Sequence, residues 1–339
     1  MKGIRRPHRG RGADLERSGL MPKRNLSQNF LEDRAILERM AAIVNKSLQD
    51  HAALPIVVEI GPGEGALTRH LLPFVSVHAV DKDERSVALL RKTLLRDNTA
   101  PSKTSDAAHD PQLTVPSPGI APRLLVTQGD IRELDLRDLV HAAHGGSHSL
   151  MVGAAAKPMV VGNLPYAISS DILLWACQAA PLMHSCHFLL QKEVVDRLIA
   201  KPGTKDYGRI GIFVSLHFDI EVHFDVPPEA FYPQPKVTST FFSLRPKDAC
   251  RLDQGGLALL ERLTAALFSQ RRKKLRNALS FACTQLSLGA GAYETLAKAL
   301  STYTLTLDDR PERLPPEALV DLTIALRGSE QESLSSDTP

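Results

Sequence analysis

Ile56-Val57-Val58-Glu59-Ile60-Gly61-Pro62-Gly63-Glu64-Gly65 opens on a β-branched run and breaks directly into three glycines at alternate positions. An apolar run of this kind reads as a strand buried on both faces, the habit of parallel sheets. The glycines let the chain turn tightly and let a ligand approach the backbone, and a helical pattern begins near Ala66. Strand, glycine turn and helix in this order predict a doubly wound α/β domain. A glycine loop alone is weak evidence for any one ligand. No Gly-Lys-Ser/Thr follows it, which argues against a phosphate-binding P-loop.

Outward from this turn, the next strand ends carry ligand-type side chains. Val75–Val80 reads as a second strand ending at Asp81, 20 residues after Gly61, where the hydroxyls of an adenosine ribose are commonly met. A third strand, Leu124–Thr127, runs into Gln128-Gly129-Asp130. Asp130 suits an acceptor for an adenine amine; taken singly, it is as well explained as a cap on the helical turn after it. The glycines and Asp81 leave two ligand classes open, a dinucleotide or S-adenosylmethionine. The fourth strand, Met159–Val161, leads into Gly162-Asn163-Leu164-Pro165-Tyr166. That turn gathers a side-chain amide, a proline carbonyl and an aromatic face at one strand end. Together they suit a planar group bearing an amine: two acceptors for its N–H bonds and a ring to stack on. An adenine amine is a poor nucleophile because its lone pair is delocalised, and holding both hydrogens toward acceptors favours a pyramidal nitrogen aimed at an electrophile.

The rest of the chain extends the pattern. An amphipathic helix is expected over Arg34–Leu48, further helices over Arg85–Leu95, Ser169–Gln178, Glu193–Ala200 and Tyr207–Leu216, and a fifth strand over His187–Gln191. Ser169 or Ser170 is the expected N-cap of its helix. Strands near Asp219–Val226 and Val237–Leu244 flank a proline-rich loop and complete a seven-stranded Rossmann-like sheet whose last pair is antiparallel. Beyond Leu257 strands cease. The expected organisation is a basic, disordered arm over 1–22, an α/β domain over 23–246 and an all-helical domain over 255–326, with a disordered tail over 327–339. The polar segment 97–122 reads as a mobile surface insertion without chemistry, and 141–157 as a flexible linker. The arm could be a transit peptide, an RNA-contacting extension or sequence upstream of a start at Met21.

Composition is that of a globular protein of 339 residues, 43% hydrophobic and 23% charged, with net charge +3. A balance this mild does not prove a nucleic-acid partner. Cys177, Cys186, Cys250 and Cys283 show no zinc-like spacing and read as reduced packing residues. No apolar run reaches the length of a membrane span.

Five ordered motifs carry a resemblance. Gln28-Asn29-Phe30-Leu31, Glu59-Ile60-Gly61-Pro62-Gly63, Gly162-Asn163-Leu164-Pro165-Tyr166, Phe231-Tyr232-Pro233-Gln234-Pro235-Lys236-Val237, and Phe268 to Asn277 with Arg310-Pro311-Glu312 resemble the KsgA-type small-subunit rRNA adenine dimethyltransferases. These are class I S-adenosylmethionine-dependent methyltransferases, and the likeness spans roughly Lys23 to Leu326. It implies that Asn29 and Leu31 close over the cofactor, Gly61 lines it, Asp81 binds the ribose, Asp130 meets the adenine, and Asn163 touches both cofactor and target. Asp81 stands where the family more usually carries Glu. Asn163 and the Pro165 carbonyl would accept from the target amine, with Tyr166 stacking on one face of the base and Phe231 on the other. Lys23, Arg24, Arg271, Arg272, Lys273, Lys274 and Arg276 would grip rRNA phosphates. The implied protein is a monomeric cytoplasmic enzyme of small-subunit biogenesis that needs no metal. The alternatives are a large-subunit rRNA methylase of the macrolide-resistance type, a non-catalytic RNA-binding assembly or organellar transcription factor, and an NAD-dependent dehydrogenase. The basic helix and Arg-Pro-Glu argue against the first, the intact Asn163, Pro165 and Tyr166 against the second, and the lack of a catalytic His/Lys arrangement against the third.

Overall fold

The computed structural model describes residues 28–49, 56–97, 124–143, 157–247, 251–289 and 291–336. The expected arm, Lys23, Arg24 and most of the two polar segments lie outside the described residues. Strand β1 (Phe30–Leu31) precedes helix α1 (Arg34–Leu48), and β2 (Ile56–Ile60), α2 (Ala66–Leu71), β3 (Ser76–Asp81), α3 (Glu84–Asp97), β4 (Leu124–Gln128) and α4 (Leu136–Ala143) follow. Next come β5 (Met159–Asn163), α5 (Ser169–Ala179), β6 (Ser185–Gln191), α6 (Lys192–Leu198), α7 (Arg209–His217), β7 (Phe218–Val226), β8 (Phe231–Tyr232) and β9 (Ser239–Pro246). Four helices close the described chain: α8 (Gln254–Ser269), α9 (Leu275–Gln285), α10 (Ala292–Leu300) and α11 (Pro316–Ser336).

Seven strands form one sheet in the order β4-β3-β2-β5-β6-β9-β7. Strand β2 pairs in parallel with β3 and β5, β3 with β4, and β5 with β6, whereas β9 runs antiparallel to β6. The order reverses at β2, between β3 and β5, and the carboxyl ends beside such a switch point form the usual ligand crevice of open α/β sheets. All five residues of β2 are buried, the solvent-free environment its β-branched run calls for. Helix α1 presents Leu37, Met40, Val44 and Leu48 to the same core as Val57, Val77 and Met159.

Compactness divides the chain into two units. The described residues up to Lys192 form one with Glu221–Arg245, and Glu193–Ile220 forms the other with the described residues from Pro246 onward. The sequence places 193–220 in the α/β domain; side chains explain the difference. Tyr207 is buried, its hydroxyl donates to the Leu314 carbonyl at 2.7 Å, and its ring lies 6.1 Å from that of Phe268. Helix α11 continues to Ser336, past Leu326, where the helical domain was expected to end. A second sheet pairs Phe30 with Tyr232 and Leu31 with Phe231, a ribbon the sequence does not announce. Among the described residues no helix is long and apolar enough to cross a membrane.

Candidate active site

The carboxyl ends of β2, β3 and β5, with the loops after β4 and before β1, enclose a cavity of about 290 Å³. Asn29, Gly61, Asp81, Asp130, Asn163, Pro165 and Tyr166 all line it. Seven of the expected residues, Asn29 among them on the resemblance alone, thus border one space.

Local chemistry sets each of them. Gly61 has φ +65°, which favours glycine, and a Cβ built there would meet nothing within 4 Å, so the backbone itself faces the cavity. A Cβ at Gly63 would come 2.8 Å from Phe30 Cε1, so the third position of the turn must stay bare for the β1 ring to close over it. Asp81 ends β3 with its carboxylate tied to main chain: Oδ2 accepts from Gly63 N at 3.2 Å and Oδ1 from Asp83 N at 2.8 Å. With main chain holding both oxygens, the shorter acid is fixed in place where it borders the cavity. Burial raises the Asp81 carboxyl above its usual range. Gln28 Nε2 donates to Asp83 Oδ2 at 3.3 Å, joining the segment before β1 to this end of the sheet.

Asp130 is a cap, as one of the two readings has it, and it also borders the cavity. It caps the turn Ile131–Glu133 by accepting from Arg132 N. Hydrogen bonds from the Arg132 guanidinium hold its carboxyl far below the usual carboxylate range. Arg132 and Lys82 also line the cavity, and motif spacing does not single out either. The one available signal is the Asp-x-Arg spacing, which lets an arginine fold back on the acid two residues before it.

At the end of β5, Asn163 Nδ2 donates to the Asn29 carbonyl at 2.9 Å. A carbonyl can only accept, so this bond decides the amide orientation and leaves Oδ1 as an acceptor. The Pro165 carbonyl accepts from Ile168 N at 3.2 Å, closing a 3₁₀ turn and leaving one of its two lone pairs. Tyr166 opens that turn, and its hydroxyl hydrogen-bonds Ser239 Oγ at 2.8 Å, which anchors the ring from β9. Ile168, not a serine, is the N-cap of α5; Ser169 Oγ instead donates to the Tyr166 carbonyl at 3.1 Å.

Two expected residues are absent from the lining. Leu31 and Phe231 are 5% and 4% exposed and belong to the hydrophobic core. Their strands pair with each other, so both side chains turn inward, and Phe231 presents no free face to a base in this structure.

The expected phosphate-gripping cations are unequally available. Arg271 donates through Nε to Glu312 Oε2 at 2.8 Å and through Nη2 to the Thr204 and Lys205 carbonyls at 3.1 and 2.6 Å. It is an internal clamp. Lys274 Nζ lies 3.0 Å from Asp308 Oδ1, and Arg276 pairs with the same carboxylate. Arg272 and Lys273 are exposed and have no acidic partner among the described residues. Among those residues no cluster of three or more His, Cys, Asp or Glu is placed to hold a metal ion.

A mixed seven-stranded sheet in this strand order, with a crevice at its switch point, is the fold of the class I methyltransferases. Residues 20–289 match the family model described as ribosomal RNA adenine dimethylase, and the chain belongs to that family. It is 36% identical over 309 residues to the ribosomal RNA small subunit methyltransferase A of Geobacter metallireducens, covering 91% of this chain and 96% of that one. The protein of the same name from Thiobacillus denitrificans is 38% identical over 260 residues, 76% of this chain and 84% of its own. Among solved structures, a dimethyladenosine transferase from Plasmodium falciparum superposes with TM-score 0.64 at 21% identity, covering 89% of this chain and 98% of that one. The 23S rRNA methyltransferase ErmE superposes with TM-score 0.55 at 22% identity over 88% and 99%. The last two likenesses concern the fold.

Proposed function

We propose that the protein transfers methyl groups to the N6 amines of two adjacent adenines near the 3′ end of small-subunit rRNA, twice per base. The carrying observation is the Asn163 amide, held by the Asn29 carbonyl so that its oxygen is the free acceptor, on the cavity that Gly61, Asp81 and Asp130 also line. S-adenosylmethionine, the methyl donor this reading requires, supplies an electrophilic methyl on a sulfonium. Gly61 would lie against it, Asp81 would accept from its ribose hydroxyls and Asp130 from its adenine amine, while Asn29 borders the same space. The Asn163 Oδ1 and the spare lone pair of Pro165 would take the two hydrogens of the target amine. The Tyr166 ring, steadied by Ser239, would stack on a base drawn out of its helix; extrusion costs about a few kcal/mol, which stacking offsets. Positioning supplies most of the rate. The amine becomes acidic only after attack, so no general base is needed, and the step calls for neither a metal ion nor a covalent intermediate. Asn163, Pro165 and Tyr166 are the residues we assign to the reaction. Arg272 and Lys273 are assigned to rRNA phosphates, with Lys274 and Arg276 contributing if Asp308 releases them.

Family membership and the names of the small-subunit relatives support the choice of substrate. An immature small subunit as substrate implies a cytoplasmic enzyme, and we expect a monomer. The test is mass analysis of immature small subunits incubated with the protein and labelled S-adenosylmethionine. Two dimethylated neighbouring adenines near the 3′ end are expected; label confined to large-subunit RNA, or none, overturns the reading.

A further inference from the structure

Four donors converge on the Asp130 carboxylate. Oδ1 accepts from the Arg132 main-chain N–H at 3.1 Å and from Arg132 Nε at 2.9 Å. Oδ2 accepts from Arg132 Nη2 at 2.7 Å and from Lys82 Nζ at 3.3 Å. An ionised carboxylate offers about four lone-pair sites, so all of them are taken before any ligand arrives. An adenine amine can be accepted only where one donor gives way.

The two cations differ in how easily they could. Arg132 grips both oxygens with a planar fork, the geometry that makes arginine–carboxylate pairs strong and directional. Its remaining Nη1 donates to Asp171 Oδ2 at 2.7 Å, in the first turn of α5, the helix that follows the Asn163–Tyr166 loop. Lys82 has a single, longer contact, and its side chain is 65% exposed against 6% for Asp130. Lysine there is a solvated point charge on a flexible stem.

We propose that Arg132 is a positioning residue that makes the cofactor site specific for adenine, and that Lys82 is the donor its exocyclic amine displaces. The inference rests on the reading of Asp130 as the adenine acceptor. With Arg132 in place the ionised carboxylate cannot rotate, so one lone pair stays aimed at the vacated position. A 6-amino purine donates to it; a 6-oxo purine brings a second acceptor against it and is rejected. The tie to Asp171 makes the same arginine a strut between this specificity element and the helix behind the target-amine loop.

Calorimetric titration with S-adenosylhomocysteine and with its hypoxanthine counterpart, S-inosylhomocysteine, tests this on the full chain. The wild-type protein is expected to prefer the adenine ligand by about 10- to 100-fold, the range of one hydrogen bond to a charged group. Arg132→Met keeps the main-chain N–H and much of the side-chain length. It is expected to weaken the adenine ligand at least about tenfold and the hypoxanthine ligand less than about twofold, so that the preference collapses. Arg132→Lys keeps the charge without the fork and is expected not to restore it. Equal losses for both ligands would make Arg132 merely structural, and an intact preference in Arg132→Met would remove it from the site; either overturns the proposal and leaves the Asp130 reading standing. No preference in the wild-type protein overturns the Asp130 reading and the proposal with it. Lys82→Met is expected to bind the adenine ligand about two- to fivefold more tightly, the worth of an exposed ion pair. Unchanged or weaker binding shows that the lysine is not the donor displaced.

Discussion

Asn163 illustrates how much one hydrogen bond can decide. An amide is nearly symmetric in shape, yet only one of its ends can accept, and the Asn29 carbonyl leaves that end free. Asn163→Ala should lower the methylation rate constant by about 10²- to 10³-fold, as loss of an oriented polar group commonly does. Binding of S-adenosylhomocysteine should change by less than about threefold, because the contacts we propose for its ribose and adenine lie at Asp81 and Asp130. Single-turnover kinetics beside calorimetry would check both, and near-normal turnover would remove Asn163 from its assigned role. Glu59 is the second residue of consequence. It is buried in the strand before the glycine turn, accepts from Thr68 Oγ1 at 2.6 Å, and burial raises its pKa from 4.5 to about 7. The folded protein therefore holds a proton there that the unfolded chain has lost. The associated stability is fully present below about pH 4.5 and is lost as pH rises toward 7, amounting to about 3 kcal/mol. Glu59→Gln should flatten this slope, losing about 2–3 kcal/mol less than the parent between pH 5 and 8 in denaturant titrations.

At the scale of elements, the ribbon of β1 and β8 holds Phe231 in the core and outside the cavity lining. Phe231 pairs with Leu31, Glu32 N donates to the Ala230 carbonyl at 2.8 Å, and Asn29, just before β1, supplies the carbonyl that orients Asn163. Phe231 thus joins the segment that carries Asn29 to the core, and we expect its effect on activity to come through packing. Phe231→Ala should destabilise the protein by about 3–5 kcal/mol, the usual cost of emptying a buried aromatic site. Phe231→Leu, which refills most of the volume, should keep most of the activity. A Leu variant that folds normally but has lost methylation would restore Phe231 to direct contact with the base.

Across the molecule, chemistry and RNA affinity are assigned to different compact units, so they can be measured apart. Arg271 binds Glu312 and two carbonyls of the 204–205 loop, whereas Arg272 and Lys273 point to solvent. Neutralising Arg272 or Lys273 should reduce the slope of log affinity against log salt by about 0.7–0.9 each, one phosphate contact per cation, without altering the melting temperature. Arg271→Ala should instead cost about 1–3 kcal/mol of stability by orphaning its partners. Filter binding across a salt series, paired with thermal melts, separates the two kinds of cation.

The order of the elements and the strand-end residues that border the cavity were legible in the sequence for a common reason, whereas Asn29 came only from the resemblance. Gly61, Asp81, Asp130 and Asn163 lie at or just beyond the ends of parallel strands, and such a sheet brings consecutive strand ends to one edge whatever lies between them. What the residue string could not settle was which partner each polar group would find. The resemblance suggested phosphate for Arg271 and a flipped base for Phe231, but Glu312 lies 41 residues from the first and Leu31 200 residues from the second. The same holds for Arg132, whose fork on Asp130 is local but whose tie to Asp171 crosses 39 residues. Periodicity and motif spacing determined the strands, the helices and the crevice, because those follow from short-range geometry. Only the folded chain decided which charges are structural and which are free, because ion pairing depends on distances that sequence separation does not fix.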